Sequence, residues 1–203
     1  MSRYRGPRLK IVRRLGQELP GFTRKTSNKQ PALNQSVGKK NKLSQYAIRL
    51  QEKQKLRFNY GLTESQLIKY VKSAKKAKGA TGEILLQLLE MRLDNTIFRF
   101  GITSTIASAR QLINHGHILV NNQKVTIPGY QCEIKDQISV SKKKSSQDLI
   151  AKFFENSNSY AIPSHLSLNK DSLNGQINQV ASRQSVNLQL NELLIVEYYS
   201  RRV

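Results

Sequence analysis

LEMRLDNTIFRFGITSTIASARQLINHGHILVN, residues 89–121, has hydrophobic residues at helical spacing in its first half. They are Leu89, Leu93, Ile97 and Phe100, and they fall within an arc of about 100° on a helix that we expect to end at Gly101. Thr105 is a suitable N-cap for a second, shorter helix over 106–114, and Gly116 is suited to end it. The segment therefore predicts two helices joined by a turn.

A small antiparallel sheet is predicted directly after these helices. Residues 117–121 have the composition of a strand, and 124–127 are expected to return alongside it. Asn121-Asn122 between them suits a type I′ hairpin turn. A further strand is expected over 136–140.

Two pairs of polar residues are expected on the outside of the helices. Arg92 and Arg99 lie seven positions apart, or about two turns, so we expect them to project together. Arg110 and Asn114 lie one turn apart on the second helix. The triplet Arg92-Leu93-Asp94 is similar to the stretch that carries the catalytic aspartate of pseudouridine synthases. An RNA-modifying enzyme is therefore the alternative reading, although no large catalytic domain surrounds the triplet.

Positive charge is concentrated at the N-terminus of this 203-residue chain, whose formal net charge is +21. The first sixty residues hold 16 of the 34 Lys and Arg but only two of the 13 Asp and Glu. Such an excess of positive charge repels itself in a compact state, so we expect a polyanionic partner. A nucleic-acid backbone is such a partner, because it releases condensed counterions when cations bind it. Residues 1–43 are interrupted by Gly and Pro, and we expect an irregular basic arm there with one helical piece near 9–15.

Several classes of protein are disfavoured by what the sequence lacks. It has no apolar run of about 18 residues, which disfavours a membrane span. Its single cysteine, Cys132, cannot form an internal disulfide, and we expect a small buried residue. His115 and His117 have no acidic residue within ten positions, so polar turn residues are favoured over metal ligands. We expect no cofactor, no metal, no small-molecule substrate and no catalysis.

Helices are also predicted before the opening segment. Ser44 caps a stretch without Gly or Pro in which Arg49, Lys53 and Arg57 recur every four residues along one face. We expect this stripe to meet phosphates. Thr63-Glu64-Ser65-Gln66 has the pattern of a capping box for a second helix to about Lys75. A third helix is expected from Gly82 to Leu89.

The pattern is weaker in the last third of the chain. Residues 145–180 are rich in Ser and Asn, and short helical turns and strands are predicted there. Residues 185–190 read as a strand. Two structures remain possible for residues 191–202. Their residue types favour a strand, whereas Asn191-Glu192 is typical of the start of a helix.

The helix-turn-helix and hairpin of residues 91–140 resemble the RNA-binding module named after the fourth small-subunit ribosomal protein, written S-four here. The resemblance rests on Met91–Asn95, Arg99, Ala109–Leu112 and His115–Asn121. Residues 1–8, 53–62 and 191–201 extend it to the bacterial and plastid family of that ribosomal protein. Tyr60-Gly61-Leu62 and Tyr198–Arg201 are similar to its cyanobacterial and plastid branch.

The resemblance implies an α+β fold with three parts. These are a basic arm (1–43), a helical domain (44–90 plus 191–203) and an inserted domain (91–190) that contains the S-four RNA-binding module (91–155), built from a helix-turn-helix and a small antiparallel sheet. It also favours a helix over 191–199. It implies no zinc, because the cysteines of the zinc-binding relatives are missing.

The same resemblance implies a structural, primary rRNA-binding protein of the small ribosomal subunit that nucleates assembly of the subunit body and supports translational accuracy. The implied partners are small-subunit ribosomal RNA and neighbouring proteins, the fifth and twelfth of the subunit, with no membrane. The implied location is the chloroplast stroma, with synthesis inside the organelle and no transit peptide, and the bacterial cytoplasm is the alternative. The residues expected to bind RNA are Arg3, Arg5, Arg8, Arg13, Arg14, Arg49, Lys53, Arg57, Tyr60, Arg92, Arg99, Arg110, Gln111, Asn114, His115, His117 and Asn121.

Overall fold

The computed structural model describes residues 4–26, 44–155, 162–169 and 173–200. The chain separates into two compact units, one made of residues 1–85 and 188–203 and the other of residues 86–187. The sequence predicts these boundaries a few residues later, at 90 and 190. In the described ranges no helix is both long enough and apolar enough to cross a bilayer.

The first unit is helical. Its helices are α1 (Arg8–Leu15), α2 (Gln45–Asn59), α3 (Glu64–Lys76), the start of α4 (Thr81–Glu90) and, from the other end of the chain, α8 (Glu192–Ser200). Ser44 accepts a hydrogen bond from the Ala47 amide at the start of α2. Thr63 and Gln66 form the predicted capping box at the start of α3. Helix α8 shows that residues 192–200 of the ambiguous segment 191–202 are helical, while residues 201 and 202 lie outside the described residues.

The segment after α1 differs from the expected irregular arm. Gly16, with φ of 66°, ends α1, and Leu19 and Phe22 then fold back as buried residues. Three polar contacts hold this turn: the Gly21 amide donates to Asn59 Oδ1 (3.0 Å), the Gln51 side-chain amide donates to the Leu15 carbonyl (3.0 Å), and Arg8 donates to the Phe22 carbonyl (3.0 Å). The short helical piece is confirmed, but residues 8–22 belong to the packed unit, because their apolar side chains gain more from burial than from solvation.

Helix α8 completes the first unit by packing on α2 and α3. Arg49 donates to Glu197 at 2.7 Å, and Tyr199 donates to Glu64 at 2.6 Å. Lys53 lies 5.0 Å from the centre of the Tyr198 ring and donates to Glu64 at 2.9 Å. Residues from the two ends of the chain therefore share one core.

The second unit carries α5 (Leu93–Arg99), α6 (Ile106–Asn114) and a five-stranded antiparallel sheet in the order β2-β1-β3-β5-β4. The strands are β1 (Ile118–Val120), β2 (Gln123–Lys124), β3 (Gln137–Val140), β4 (Leu166–Asn169) and β5 (Asn174–Ile177). Helix α7 (Lys144–Glu155) follows β3, and the sequence did not predict it. The strand expected over 185–190 is not formed: a short 3-10 helix covers Arg183–Ser185, and residues 186–190 are irregular.

The hairpin between β1 and β2 has the predicted turn. Asn121 and Asn122 both have positive φ, 51° and 65°, as a type I′ turn requires. The Asn121 side-chain amide donates to Asp136 Oδ1 at 2.8 Å, and Asn121 Oδ1 accepts from the Gln137 amide at 2.9 Å. The turn is thereby tied to the start of β3.

The predicted helix over 89–101 is interrupted at Arg92. Helix α4 ends at Glu90 and α5 begins at Leu93, with Arg92 extended between them. The break is stabilised by the loop before β3, because the amide of Leu93 donates to the Tyr130 carbonyl at 2.9 Å and the Asp94 amide donates to the Pro128 carbonyl at 3.1 Å. Arg92 and Arg99 are therefore not two turns apart on one helix, and the spacing of a single helix does not predict their directions.

Cys132 lies in the core of the second unit, as expected for a small buried residue. It is buried among hydrophobic side chains from α5, α6 and the sheet. Burial raises the pKa of its thiol to about 12, so the sulfur remains protonated at neutral pH.

Candidate nucleic-acid interface

The C-terminal end of α6 brings several of the predicted residues to the surface. Thr105 caps the helix by accepting from the Ser108 amide at 3.3 Å. Ile106, Leu112 and Ile113 are buried on one side, so the other side of the helix faces outward. Gln111, Asn114 and His115 are exposed there.

Basic residues from the hairpin and from the segment before α7 lie near His117, which follows α6. His117 is half-buried, and its Nδ1 is 2.9 Å from the Ser146 hydroxyl at the start of α7. The pKa of His117 is lowered, first by burial and then by the positive charges of His115, Lys124 and Lys143. Gly116 has φ of 73°, and an added Cβ there would collide with the Lys124 side chain. The glycine therefore allows the lysine to lie across the turn.

We define the α6-end surface as Gln111, Asn114, His115, Lys124 and Lys143. All five are exposed. Carboxylates are absent from it, and among the described residues no group of His, Cys, Asp and Glu is arranged to hold a metal ion. Amide, imidazole and ammonium groups together suit phosphate oxygens and ribose hydroxyls.

The expected outward projection of Arg92 and Arg99 is wrong. Arg92 donates to Asp94 through Nε (3.0 Å) and NH2 (2.8 Å), and its side chain is 4% exposed. Arg99 donates to Glu90 at 2.9 and 2.8 Å, and its side chain is 8% exposed. Both guanidinium groups therefore neutralise buried carboxylates, and RNA contact by either of them stays an untested prediction.

Arg110 joins the same interior network from α6. Its Nε donates to Asp94 Oδ2 at 2.7 Å, so a single carboxylate accepts from two arginines. Asn95 donates to Glu90 Oε2 at 2.7 Å, which gives that carboxylate a partner besides Arg99. These bonds fix α5, α6 and the α4 terminus to one another. Asp94, which the alternative reading made catalytic, has a structural role here.

The row of cations on α2 also contacts other residues of the protein. Arg49 pairs with Glu197, while Lys53 pairs with Glu64 and is buried. The Arg57 guanidinium lies 4.6 Å from the centre of the Phe58 ring. Tyr60, expected as a stacking residue, is 1% exposed and ends α2 inside the core. Of the three cations, Lys53 is buried and Arg49 and Arg57 are half-buried, because α8 packs on this helix and Glu197 and Glu64 take two of them as partners.

The N-terminal arginines differ in exposure. Arg3 lies outside the described residues, while Arg5 and Arg14 are exposed. Arg8 is half-buried by its bond to the Phe22 carbonyl, and Arg13 is half-buried as well.

Exposed lysines that the sequence-based prediction did not include lie on α3, on β2 and around the start of α7. They are Lys69, Lys72 and Lys76, then Lys124, and then Lys142, Lys143 and Lys144. The i, i+3, i+7 spacing of the first three is a signal that the sequence contains, because residues at these intervals share one side of a helix.

Comparison with known proteins agrees with this architecture. Residues 3–90 match the family model described as the ribosomal protein S4/S9 N-terminal domain, and residues 91–138 match the S4 domain. Together they define a two-part protein of the S4 class, with the second match covering α5, α6 and the first strands.

Full-length relatives narrow this class further. The chain is 62% identical over 203 residues to the small ribosomal subunit protein uS4c of Oltmannsiellopsis viridis, covering 99% of this chain and 100% of that one. It is 58% identical to uS4c of Gracilaria tenuistipitata var. liui and 57% identical to uS4c of Diphyscium foliosum, with 100% of each chain covered. The chain belongs to the uS4 family of small ribosomal subunit proteins. The family expected from the sequence is confirmed, and nothing supports the RNA-modifying enzyme.

Proposed function

We propose that this chain is a structural, non-catalytic component of the small ribosomal subunit of the plastid. In that role it binds small-subunit ribosomal RNA directly and early, and nucleates assembly of the subunit body. It also contacts neighbouring small-subunit proteins, the fifth and the twelfth, and through them supports the accuracy of decoding.

The observation that carries the proposal is similarity along the entire chain. A match of 62% identity covers 100% of a relative named as a small ribosomal subunit protein, so both units are shared. An RNA-modifying enzyme that borrowed the S4 domain would match over that domain alone. The uS4c names of the relatives support a plastid ribosome as the location.

RNA binding is assigned first to the α6-end surface. Lys124 and Lys143 supply charge that releases counterions from phosphates, and Gln111 and Asn114 supply amides for ribose hydroxyls and phosphate oxygens. Recognition of this kind follows the shape of folded RNA more than the edges of its bases. In the first unit, the exposed residues Arg5 and Arg14 are assigned to RNA as well.

The buried ion pairs support this surface by fixing the position of α6, the helix that carries part of it. Asp94 holds Arg92 and Arg110, and Glu90 holds Arg99, so α5 and α6 keep one relative position before RNA arrives. A surface that is already ordered loses less conformational entropy on binding. The arginines thus serve RNA binding indirectly, by positioning the residues that touch it.

Two measurements test the proposal. The full-length tagged chain, expressed in plastids, should sediment with small ribosomal subunits. In filter binding, it should prefer small-subunit ribosomal RNA to an unrelated structured RNA of equal length at matched salt. Equal affinity for both RNAs, with no sedimentation alongside subunits, would overturn the proposal.

A double variant, Lys124→Gln with Lys143→Gln, tests the surface itself. We expect the log–log salt slope for ribosomal RNA to fall in magnitude by about 1 for each phosphate that the variant no longer neutralises. Lys135→Gln, at an exposed position outside the surface, is the control and should leave the slope unchanged. A double variant with the parental slope would show that RNA does not bind at the α6-end surface.

A further inference from the structure

One exposed face of α3 is made of lysines. Lys69, Lys72 and Lys76 are all exposed, and their i, i+3, i+7 spacing places them within about 60° of one another around the helix. Seven residues at about 1.5 Å each give the row a length of about 10 Å. Ser65 and Ser73 share this side and are exposed too, so no bulky side chain screens the lysines.

The opposite side of α3 fixes the direction of this face. Leu67, Val71 and Ala74 are fully buried in the first unit. The capping box between Thr63 and Gln66 holds the first turn, with a 3.2 Å bond from the Thr63 amide to the Gln66 side chain. The helix therefore cannot rotate its lysines inward without exposing its core.

The three lysines have no carboxylate partner on their helix. Glu64 is the single acidic residue of α3, and its two oxygens accept from Lys53 and Tyr199 on the buried side. Within the parts of the chain that the structure describes, no ion pair involves Lys69, Lys72 or Lys76. Arg49 has a carboxylate partner in Glu197, whereas these three lysines have none among the described residues.

Stabilisation of the helix itself explains only part of the pattern. A cation in the last turn interacts favourably with the carbonyl end of the helix, and this accounts for Lys76. Lys69 and Lys72 lie in the middle of α3, where that interaction is absent. Placing them beside one another costs repulsion that a polyanion would remove.

We propose that this lysine face (Lys69, Lys72 and Lys76) is a second RNA-binding surface, which contacts the phosphate backbone of small-subunit ribosomal RNA from the first unit. The inference rests on the proposed function and adds a site outside the S4 domain. Ammonium groups on flexible stems bind phosphates as point charges without reading bases, so this surface adds affinity and orientation.

The test compares two triple variants of the full-length chain. In the first, Lys69, Lys72 and Lys76 are all changed to Gln, and in the second all three are changed to Arg. Gln, Arg and Lys have similar helix propensities and the positions are exposed, so both variants should fold. Circular dichroism and the urea midpoint check this.

Ribosomal RNA binding is then measured against salt concentration. We expect the log–log slope of the glutamine variant to fall in magnitude by about 2 to 3, and that of the arginine variant to stay at the parental value. A glutamine variant within about 0.5 of the parental slope would overturn the inference. So would a variant that binds RNA normally yet no longer sediments with subunits, because that result would assign the face to an acidic protein.

These measurements also distinguish failure of the lysine face from failure of the proposed function. If the parental chain shows no preference for ribosomal RNA, the proposed function fails. If the parental chain shows the preference and both variants keep its salt slope, only the lysine face fails. Lys135→Gln again serves as the control for loss of one exposed charge elsewhere.

Discussion

Removing the charge of Asp94 should destabilise the second unit strongly. The Asp94 side chain is 1% exposed and accepts three bonds from two arginines, at 3.0, 2.8 and 2.7 Å. In the variant Asp94→Asn the volume is kept, but Arg92 becomes a buried cation without its counter-charge. Loss of one partner from a buried pair costs about 3–5 kcal/mol. Because Arg110 is partly exposed, we expect the lower half of that range.

Equilibrium unfolding in urea, followed by circular dichroism, measures this cost. With an m-value of about 1–3 kcal/mol/M, a loss of about 3 kcal/mol lowers the midpoint by about 1–3 M. The matched control is Asp148→Asn, the same change at an exposed position on α7, which should cost less than about 0.5 kcal/mol. A double-mutant cycle with Arg110→Met should give a coupling of about 1–2 kcal/mol.

The reasoning fails if Asp94→Asn unfolds at the same urea concentration as Asp148→Asn. Under conditions in which Asp94→Asn remains folded, its salt slope for ribosomal RNA should equal that of the parental chain. A folded variant with a lower slope would mean that loss of these ion pairs also displaces the residues of the α6-end surface that neutralise phosphates.

Three further changes test other parts of the structure. Tyr199→Phe removes the 2.6 Å bond to Glu64 and should cost about 1–2 kcal/mol in urea unfolding. Burial raises the pKa of Glu64, but the hydrogen bonds from Tyr199 and Lys53 outweigh burial, so the net pKa is lowered in the folded protein. Glu64 therefore stabilises the protein above its unfolded-state pKa, and this stabilisation is lost as the pH falls through its folded-state pKa. Burial lowers the pKa of His165, because it disfavours the charged imidazolium. The free energy of unfolding should therefore decline as the pH falls from about 7 to about 5. His165→Gln should flatten that decline when unfolding is measured over a series of pH values. Thr63→Ala should lower the urea midpoint by the loss of about 1 kcal/mol of capping energy.

Local chemistry explains why some elements could be predicted from sequence. Helix α6 has a cap at Thr105 and buried residues at regular spacing, and the hairpin has two asparagines that tolerate positive φ. Each of these signals lies within a few residues of the structure that it specifies. Helix α7 was not predicted because it lies in a segment, 145–180, whose polar composition is typical of turns. Its apolar residues, Leu149, Ile150 and Phe153, nevertheless follow helical spacing.

The candidate site depends on contacts that local patterns do not contain. Arg99 meets a carboxylate nine residues earlier, on another helix, and Arg110 meets one sixteen residues earlier. The break at Arg92 is stabilised by a loop nearly forty residues later. The sequence indicates that these arginines matter, but their burial follows from the tertiary fold. Gln111, Asn114 and His115 were placed correctly at the surface because a single amphipathic helix determines their side.

Placement of α8 in the helical unit has a consequence for biosynthesis. Residues 1–85 leave the peptidyl-transferase centre about a hundred residues before α8, the helix that packs on α2. The apolar side of α2 therefore stays exposed until α8 has been synthesised. The inserted residues 86–187 have all their own partners by then and can fold first. A stop codon between residue 187 and α8 would leave the insert complete, joined to a first unit that exposes the apolar side of α2 to chaperones and proteases.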